Sequence, residues 1–166
     1  MKIQRCFMVR CALLLLPVLL MASFAAADDK KKDNSSDTCS QASPASMCNA
    51  SNTCGSACMV DVKRTASSSS ATPNIPGAKG DGVFCVKAGT TVTWQSTAKN
   101  IGFLIDFGGT SPFDPPGTIT GGTAKSVPVV AKTPGCYKYN FTASNSKAIY
   151  GMGKAAQGAL IVTAGQ

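Results

Sequence analysis

Large apolar side chains are spread unevenly along this chain, and their rhythm changes twice. From Cys11 to Met21 they form an almost unbroken run, and from about 28 to 78 they nearly vanish. From Val83 onward they return in short bursts separated by Gly, Pro and Asn. Val83 to Lys87 is the first burst, and Ala88-Gly89 turns into Thr90 to Ser96. There Val92 and Trp94 alternate with Thr91, Thr93 and Gln95, the period of a half-buried strand. Ile101 to Phe107 reads as a third strand, followed by a Gly/Pro-rich loop from Gly108 to about Gly122. Lys125 to Val130 reads as a fourth, which Pro128 restricts to an edge or a bulge because it has no N–H to donate. Gly135 to Thr142 is a fifth, with Tyr137, Tyr139 and Phe141 on one face as core, and Gly158 to Thr163 closes the series. Helical periodicity is missing from this region, apart from a turn near Lys147 to Ala156. Six or seven short strands in about 85 residues predict an all-β sandwich.

The first apolar run is of another kind. Lys2, Arg5 and Arg10 precede it and Ala25-Ala26-Ala27 follow it, which is the layout of a cleavable secretory signal over residues 1–27. The run is shorter than the roughly 20 residues that cross a bilayer, so a membrane anchor is the weaker reading, and no later stretch approaches a span. Residues 28–78 offer only Met47, Met59, Val60, Val62 and Ile75 as large apolar side chains, too few for a core of their own. Ser67 to Ser70, followed by Ala71, Thr72 and Pro73, reads as a flexible linker. Cys39, Cys48, Cys54 and Cys58 lie in this poor segment, where local cross-links would hold a small loop-rich knot. The expected organisation is a signal peptide (1–27), a disordered or disulfide-knotted N-terminal segment (28–78) and a β-sandwich domain (79–166).

Composition narrows the chemistry. The 166 residues include no histidine, and all eight acidic residues are Asp. That excludes a Ser-His-Asp or Cys-His pair, a His-ligated metal and an imidazole proton shuttle. Removing 1–27 leaves 13 Lys+Arg against 8 Asp, a net charge of +5. The only basic run, Lys30-Lys31-Lys32, is flanked by Asp, and no Arg follows Arg64, so the excess reads as solubility and not as a nucleic-acid surface. Processing also removes Cys6 and Cys11. The remaining six cysteines, an even number in an exported chain, predict disulfides in a periplasmic or extracellular setting.

Three stretches resemble the cupredoxins, the blue-copper β-sandwich family. Val86-Lys87-Ala88-Gly89-Thr90-Thr91-Val92-Thr93-Trp94 is similar to the family's V-x-x-G-x-x-V-x-W start, and Thr133-Pro134-Gly135-Cys136-Tyr137-Lys138-Tyr139 to its P-G-x-Y-x-Y strand. Gly151-Met152-Gly153 followed by Gly158 to Val162 resembles its closing G-M-x-G and apolar strand. The resemblance spans about residues 80–164 and implies a Greek-key β-sandwich. It also implies a copper site of two imidazoles, a thiolate and a weak axial thioether. The chain departs from that ligand set. Ile101 follows Asn100 where a His is implied, Asn140 and Phe141 stand where the thiolate is implied, and Ser144 to Lys147 offer only Ser, Asn and Lys. Met152 alone matches, at the axial position, so no blue-copper site and no other cofactor are expected.

Cys136 precedes Tyr137 and is too early to be the family's thiolate. Its expected partner is Cys85, the other cysteine of the sandwich region; the alternative is that either one pairs with the N-terminal four. A four-thiolate metal site among Cys39, Cys48, Cys54 and Cys58 is disfavoured, since only one of their gaps is short. Asp106 and Asp114 flank a loop too poor in acids for calcium. Ser144-Asn145-Ser146-Lys147 is the one local Ser/Lys cluster, a common loop composition. The functional expectation is an exported, non-catalytic module that binds an unidentified protein or small ligand, or serves the envelope. Its binding end is expected where the loops at Asn100 to Ile101, Asp114 to Gly117 and Ser144 to Met152 converge. The alternative is a copper-handling or redox protein using cysteine thiols and Met152.

Overall fold

The computed structural model describes residues 38–78, 82–151 and 156–165. The chain divides into two compact units, Met1–Lys31 and Lys32–Gln166. The first, with the whole of the predicted signal segment, lies outside the described residues, as does Met152. Among the described residues no helix is long and apolar enough to cross a membrane.

The second unit is a sandwich of two sheets, the all-β class expected from the alternation. Its strands are β1 (Ala57–Thr65), β2 (Ser68–Pro73), β3 (Val83–Lys87), β4 (Thr91–Gln95), β5 (Gly102–Asp106), β6 (Phe113–Asp114), β7 (Ile119–Gly122), β8 (Val127–Ala131), β9 (Gly135–Ser144), β10 (Ile149–Tyr150) and β11 (Gln157–Thr163). One sheet has the order β2-β1-β4-β8-β6 and the other β3-β11-β9-β5-β7, with β10 added to β9. β1 runs parallel to β4 and β3 parallel to β11; the other pairings are antiparallel. The strands read from the sequence are all present within two residues of their expected ends, and Tyr139 and Phe141 are buried as expected. β6 reaches only Val130 and Ala131 of β8, so Pro128 lies on the stretch of β8 that β6 leaves uncovered. A missing N–H costs no ladder bond there. The described part of the expected turn at 147–156 contains the short strand β10.

The N-terminal boundary differs from expectation. β1 and β2 are integral strands of the sandwich, so a division at residue 79 would cut one sheet apart. Cys58, Val60 and Val62 point inward from β1 and are buried, while Met59 and Lys63 face out. Parallel pairing sets Cys58 beside Val92 and Val60 beside Trp94. The serine-rich stretch read as a linker is a tight turn and then β2, with Ser69, Ala71 and Pro73 inward. Small inward residues let β2 approach β9 closely, and the Ser69 hydroxyl donates to the Phe141 carbonyl at 3.2 Å. Counting large apolar residues missed a strand whose period of two was present in five letters, and whose partner supplies the bulk.

Between the sheets Trp94 is the hub of an aromatic cluster. Phe84, Phe107, Phe113 and Tyr139 meet it edge-on at centroid separations of 5.5–6.4 Å, and Phe141 packs on Tyr139 at 5.8 Å. Such edge-to-face pairs place the positive rim of one ring on the negative face of another.

The disulfides correct a second expectation. Cys85 and Cys136 do not pair with each other; the bridges are Cys39–Cys136, Cys48–Cys85 and Cys54–Cys58. Cys85 of β3, Ile161 of β11 and Cys136 of β9 form one row across three adjacent strands. Two interstrand spacings separate the outer pair by roughly 9–10 Å, beyond the about 7 Å that a disulfide tolerates between Cα atoms. Instead the segment Cys39–Cys54, with its 3-10 turn Pro44–Met47, is stapled across the outer face of this sheet, one bridge on each side of Ile161. Ile161 is only 1% exposed although it points away from the sandwich core. The strap also guards the sheet edge. Cys54 N–H donates to the Cys85 carbonyl (2.9 Å), and Cys85 N–H donates to the Asn52 carbonyl (2.8 Å).

Candidate functional site

One end of the sandwich gathers loops from both sheets. Gly102 pairs with both Gly122 and Ser144, and Ser144 pairs with Ile149, so the turns beyond β7, β5, β9 and β10 share one row. The loop entering β5 is fixed by Thr123, whose hydroxyl donates to the Ala98 carbonyl (2.7 Å) and accepts from Ile101 N–H (3.2 Å). Within it Asn100 takes a positive φ of 58°, which asparagine tolerates better than most residues. After β9 the Asn145 carboxamide oxygen accepts from the backbone N–H of Lys147 (2.9 Å) and Ala148 (3.0 Å). This closes the turn that read in sequence as a Ser/Lys cluster. Gly151, at φ +83°, lies so close to Ser69 and Ala156 that a Cβ would collide with both. That close approach lets the chain leave β10 alongside β2.

The β1–β2 hairpin brings the other sheet to the same end. The Arg64 guanidinium sits 4.6 Å above the Tyr150 ring, and the Asn145 side-chain amide donates to the Tyr150 hydroxyl at 3.4 Å. Asp61 accepts from the Thr97 N–H (2.9 Å) and hydroxyl (2.8 Å) and pairs with the Lys63 ammonium at 2.8 Å. Partial burial pushes the Asp61 carboxyl up, but Lys63 and the two Thr97 donors outweigh it and leave the pKa below the ordinary value of 3.8.

Of the three loops expected to converge, Asn100 to Ile101 and the Ser144 segment do so, and Asp114 to Gly117 does not. Asp114 pairs with Val130, which faces Thr91 at the start of β4, and it forms an ion pair with Lys132. That is the opposite end of the strand from which the Asn100 loop departs. β6 returns from the far end of β5, so its sequence proximity to the other loops is not matched in space. Asp106 accepts from Gly108 N–H at 3.0 Å, which caps its own turn.

At the positions where the resemblance implies ligands, Ile101 and Phe141 are buried, Phe141 completely, and Asn140 is exposed and accepts from the Gln157 side-chain amide at 3.0 Å. Phe103 and Ala143 complete an apolar floor beneath the loops. All six described cysteines are in disulfides.

Of Lys63, Arg64, Lys99, Lys125 and Lys147, the sequence singled out only Lys147, in the Ser/Lys cluster, yet all five are exposed at this one end. They come from the end of β1 and from three separate loops, and only the Lys63-Arg64 pair is adjacent in sequence. A cluster assembled by topology leaves no motif.

No family model matches the chain, and no curated protein matches it. Among solved structures, a mutant amicyanin in its oxidised form is similar at 15% identity, with a TM-score of 0.39, over 69% of this chain and 89% of that one. The all-β class and the two-sheet sandwich rest on the strand pairings described above and not on that similarity.

Proposed function

We propose that this chain is an exported, non-catalytic β-sandwich module that recognises a partner through the loop end around Asn100, Lys125 and Asn145, without a blue-copper centre. The observation that carries this reading is the apolar floor. Phe141 and Ile101 fill, as core, the positions that would have to offer a thiolate and an imidazole. The chain has no histidine at all, and a blue-copper centre needs two imidazoles with its thiolate. The residues present do not fit that metal site. Export is supported by three disulfides, which persist in oxidising compartments.

Two measurements test the reading. Copper(II) added to the disulfide-bonded protein should give no intense visible thiolate-to-copper band and no stoichiometric uptake by calorimetry; either would overturn the copper-free part. A photo-crosslinking side chain placed at Lys125 or Lys147 in the native compartment should capture a defined adduct that the same group at Lys87 does not. Equal capture at Lys87, or none from the loop end, would overturn the binding assignment.

A further inference from the structure

The loop end carries most of the net charge of the described residues. Lys63, Arg64, Lys99, Lys125 and Lys147 face a single carboxylate there, Asp61, for a balance of +4. The other described charges are Lys87, Lys132 and Lys138 against Asp106 and Asp114, a balance of +1. The five cations sit on the end of β1 and on three loops, which the Gly122–Gly102–Ser144–Ile149 row and the Arg64–Tyr150 stack hold at one end. At the end of that row stands Ile149, 61% exposed, the most exposed of the large apolar side chains in the described structure. It stands on β10, directly after the turn that Asn145 closes.

We propose that this end docks on an anionic lipid surface, with Ile149 entering the headgroup layer and the cations meeting lipid phosphates around it. This names the partner of the binding end proposed above and rests on that reading. Three features favour a membrane over other anionic partners. Four of the five cations are lysines, which are depleted in protein–protein interfaces, where Trp, Tyr and Arg supply the anchors. Single-stranded nucleic acid would need exposed aromatic rings for stacking, and at this end Phe103 and Phe141 are buried and Tyr150 is half-buried beneath Arg64. An exposed aliphatic tip at one end of a row that carries flexible point charges suits a soft surface whose charge is diffuse and whose interior is apolar. Lys63 already pairs with Asp61, so Arg64, Lys99, Lys125 and Lys147 carry most of the attraction. Each such charge near an anionic leaflet changes partitioning by about fivefold.

The test is co-sedimentation of the full disulfide-bonded protein with vesicles of phosphatidylcholine, with and without phosphatidylglycerol. Binding is expected only with phosphatidylglycerol, and it should weaken as salt is raised because the Debye length shortens. K99E/K125E/K147E should abolish it, and Ile149→Ser should weaken it by about tenfold, while K87E/K132E should leave it intact. All these positions are exposed, and unchanged circular dichroism and thermal midpoint would confirm folding. Absence of binding to phosphatidylglycerol vesicles, or equal loss with K87E/K132E, would overturn the proposal. If vesicles fail but crosslinks from Lys125 and Lys147 capture a protein, the lipid inference falls while the binding end stands. If neither is seen, both fall.

Discussion

The Cys39–Cys136 bridge closes a loop with a sequence separation of 97, against 37 for Cys48–Cys85 and 4 for Cys54–Cys58. In the chain-entropy treatment, each bridge stabilises by limiting the unfolded ensemble, with a term that grows as the logarithm of loop length. At 25 °C the three separations give about 4.7, 3.8 and 1.9 kcal/mol. The loops overlap, so these values do not add, but their order is firm. The variant C39A/C136A isolates the largest of them with little packing loss, because both cysteines are only half-buried. It also unfastens one side of the strap over Ile161. Guanidinium unfolding followed by Trp94 fluorescence should show a loss of about 4–5 kcal/mol for C39A/C136A; C54A/C58A loses about 2 kcal/mol of bridge stabilisation and, in addition, the packing of two buried side chains. Partial exposure of Ile161 in the folded variant would appear as faster amide exchange in β11. The reasoning fails if C39A/C136A costs less than about 2 kcal/mol, the value for the shortest loop. It fails equally if the single variant C39A leaves Cys136 bonded to Cys85 in a non-reducing peptide map.

Three further outcomes follow from the core and from Asp61. Gly158→Ala would drive a methyl group into the Tyr139 ring, and overpacking of this kind should cost about 1–3 kcal/mol of stability, read as a lowered denaturant midpoint. Phe141→Ala empties a fully buried ring position and should cost about 3–5 kcal/mol by the same assay; a cost under 1 kcal/mol would mean that the floor beneath the loop end is not packed. Because the folded Asp61 pKa lies below 3.8, its stabilising contribution is present above that value and is lost as pH falls through the folded pKa. Asp61→Asn should therefore have a thermal midpoint that falls less than the parent's on the acid side, and parallel curves would refute the Lys63–Thr97 network as the cause.

Legibility in the sequence followed the range of the interaction that decides each feature. The alternation of Val92 and Trp94 with polar neighbours, and the Tyr139 and Phe141 face of β9, are local patterns of period two, and they located the strands to within two residues. The same period ran through Cys58, Val60 and Val62, but their neighbours Met59, Asp61 and Lys63 and the surrounding serines made the segment read as coreless. Its burial comes from parallel pairing to β4, a partner about thirty positions away. At the loop end, Asn100 and Ser144 were correctly brought together. Asp114 was misplaced because its position depends on which sheet β6 joins.

By itself, then, the sequence determined the all-β class, the strand positions after residue 83 and, through its lack of histidine, the departure from a blue-copper ligand set. Each of these depends on residue type or on spacing within a few positions, and both are written in the chain. Tertiary structure decided the disulfide partners, the membership of β1 and β2 in the sandwich, and the gathering of five cations at the end that bears Ile149. These depend on which strands become neighbours. Cys85 and Cys136 look like natural partners along the chain, and β11 between them puts their Cα atoms beyond the reach of a single bridge.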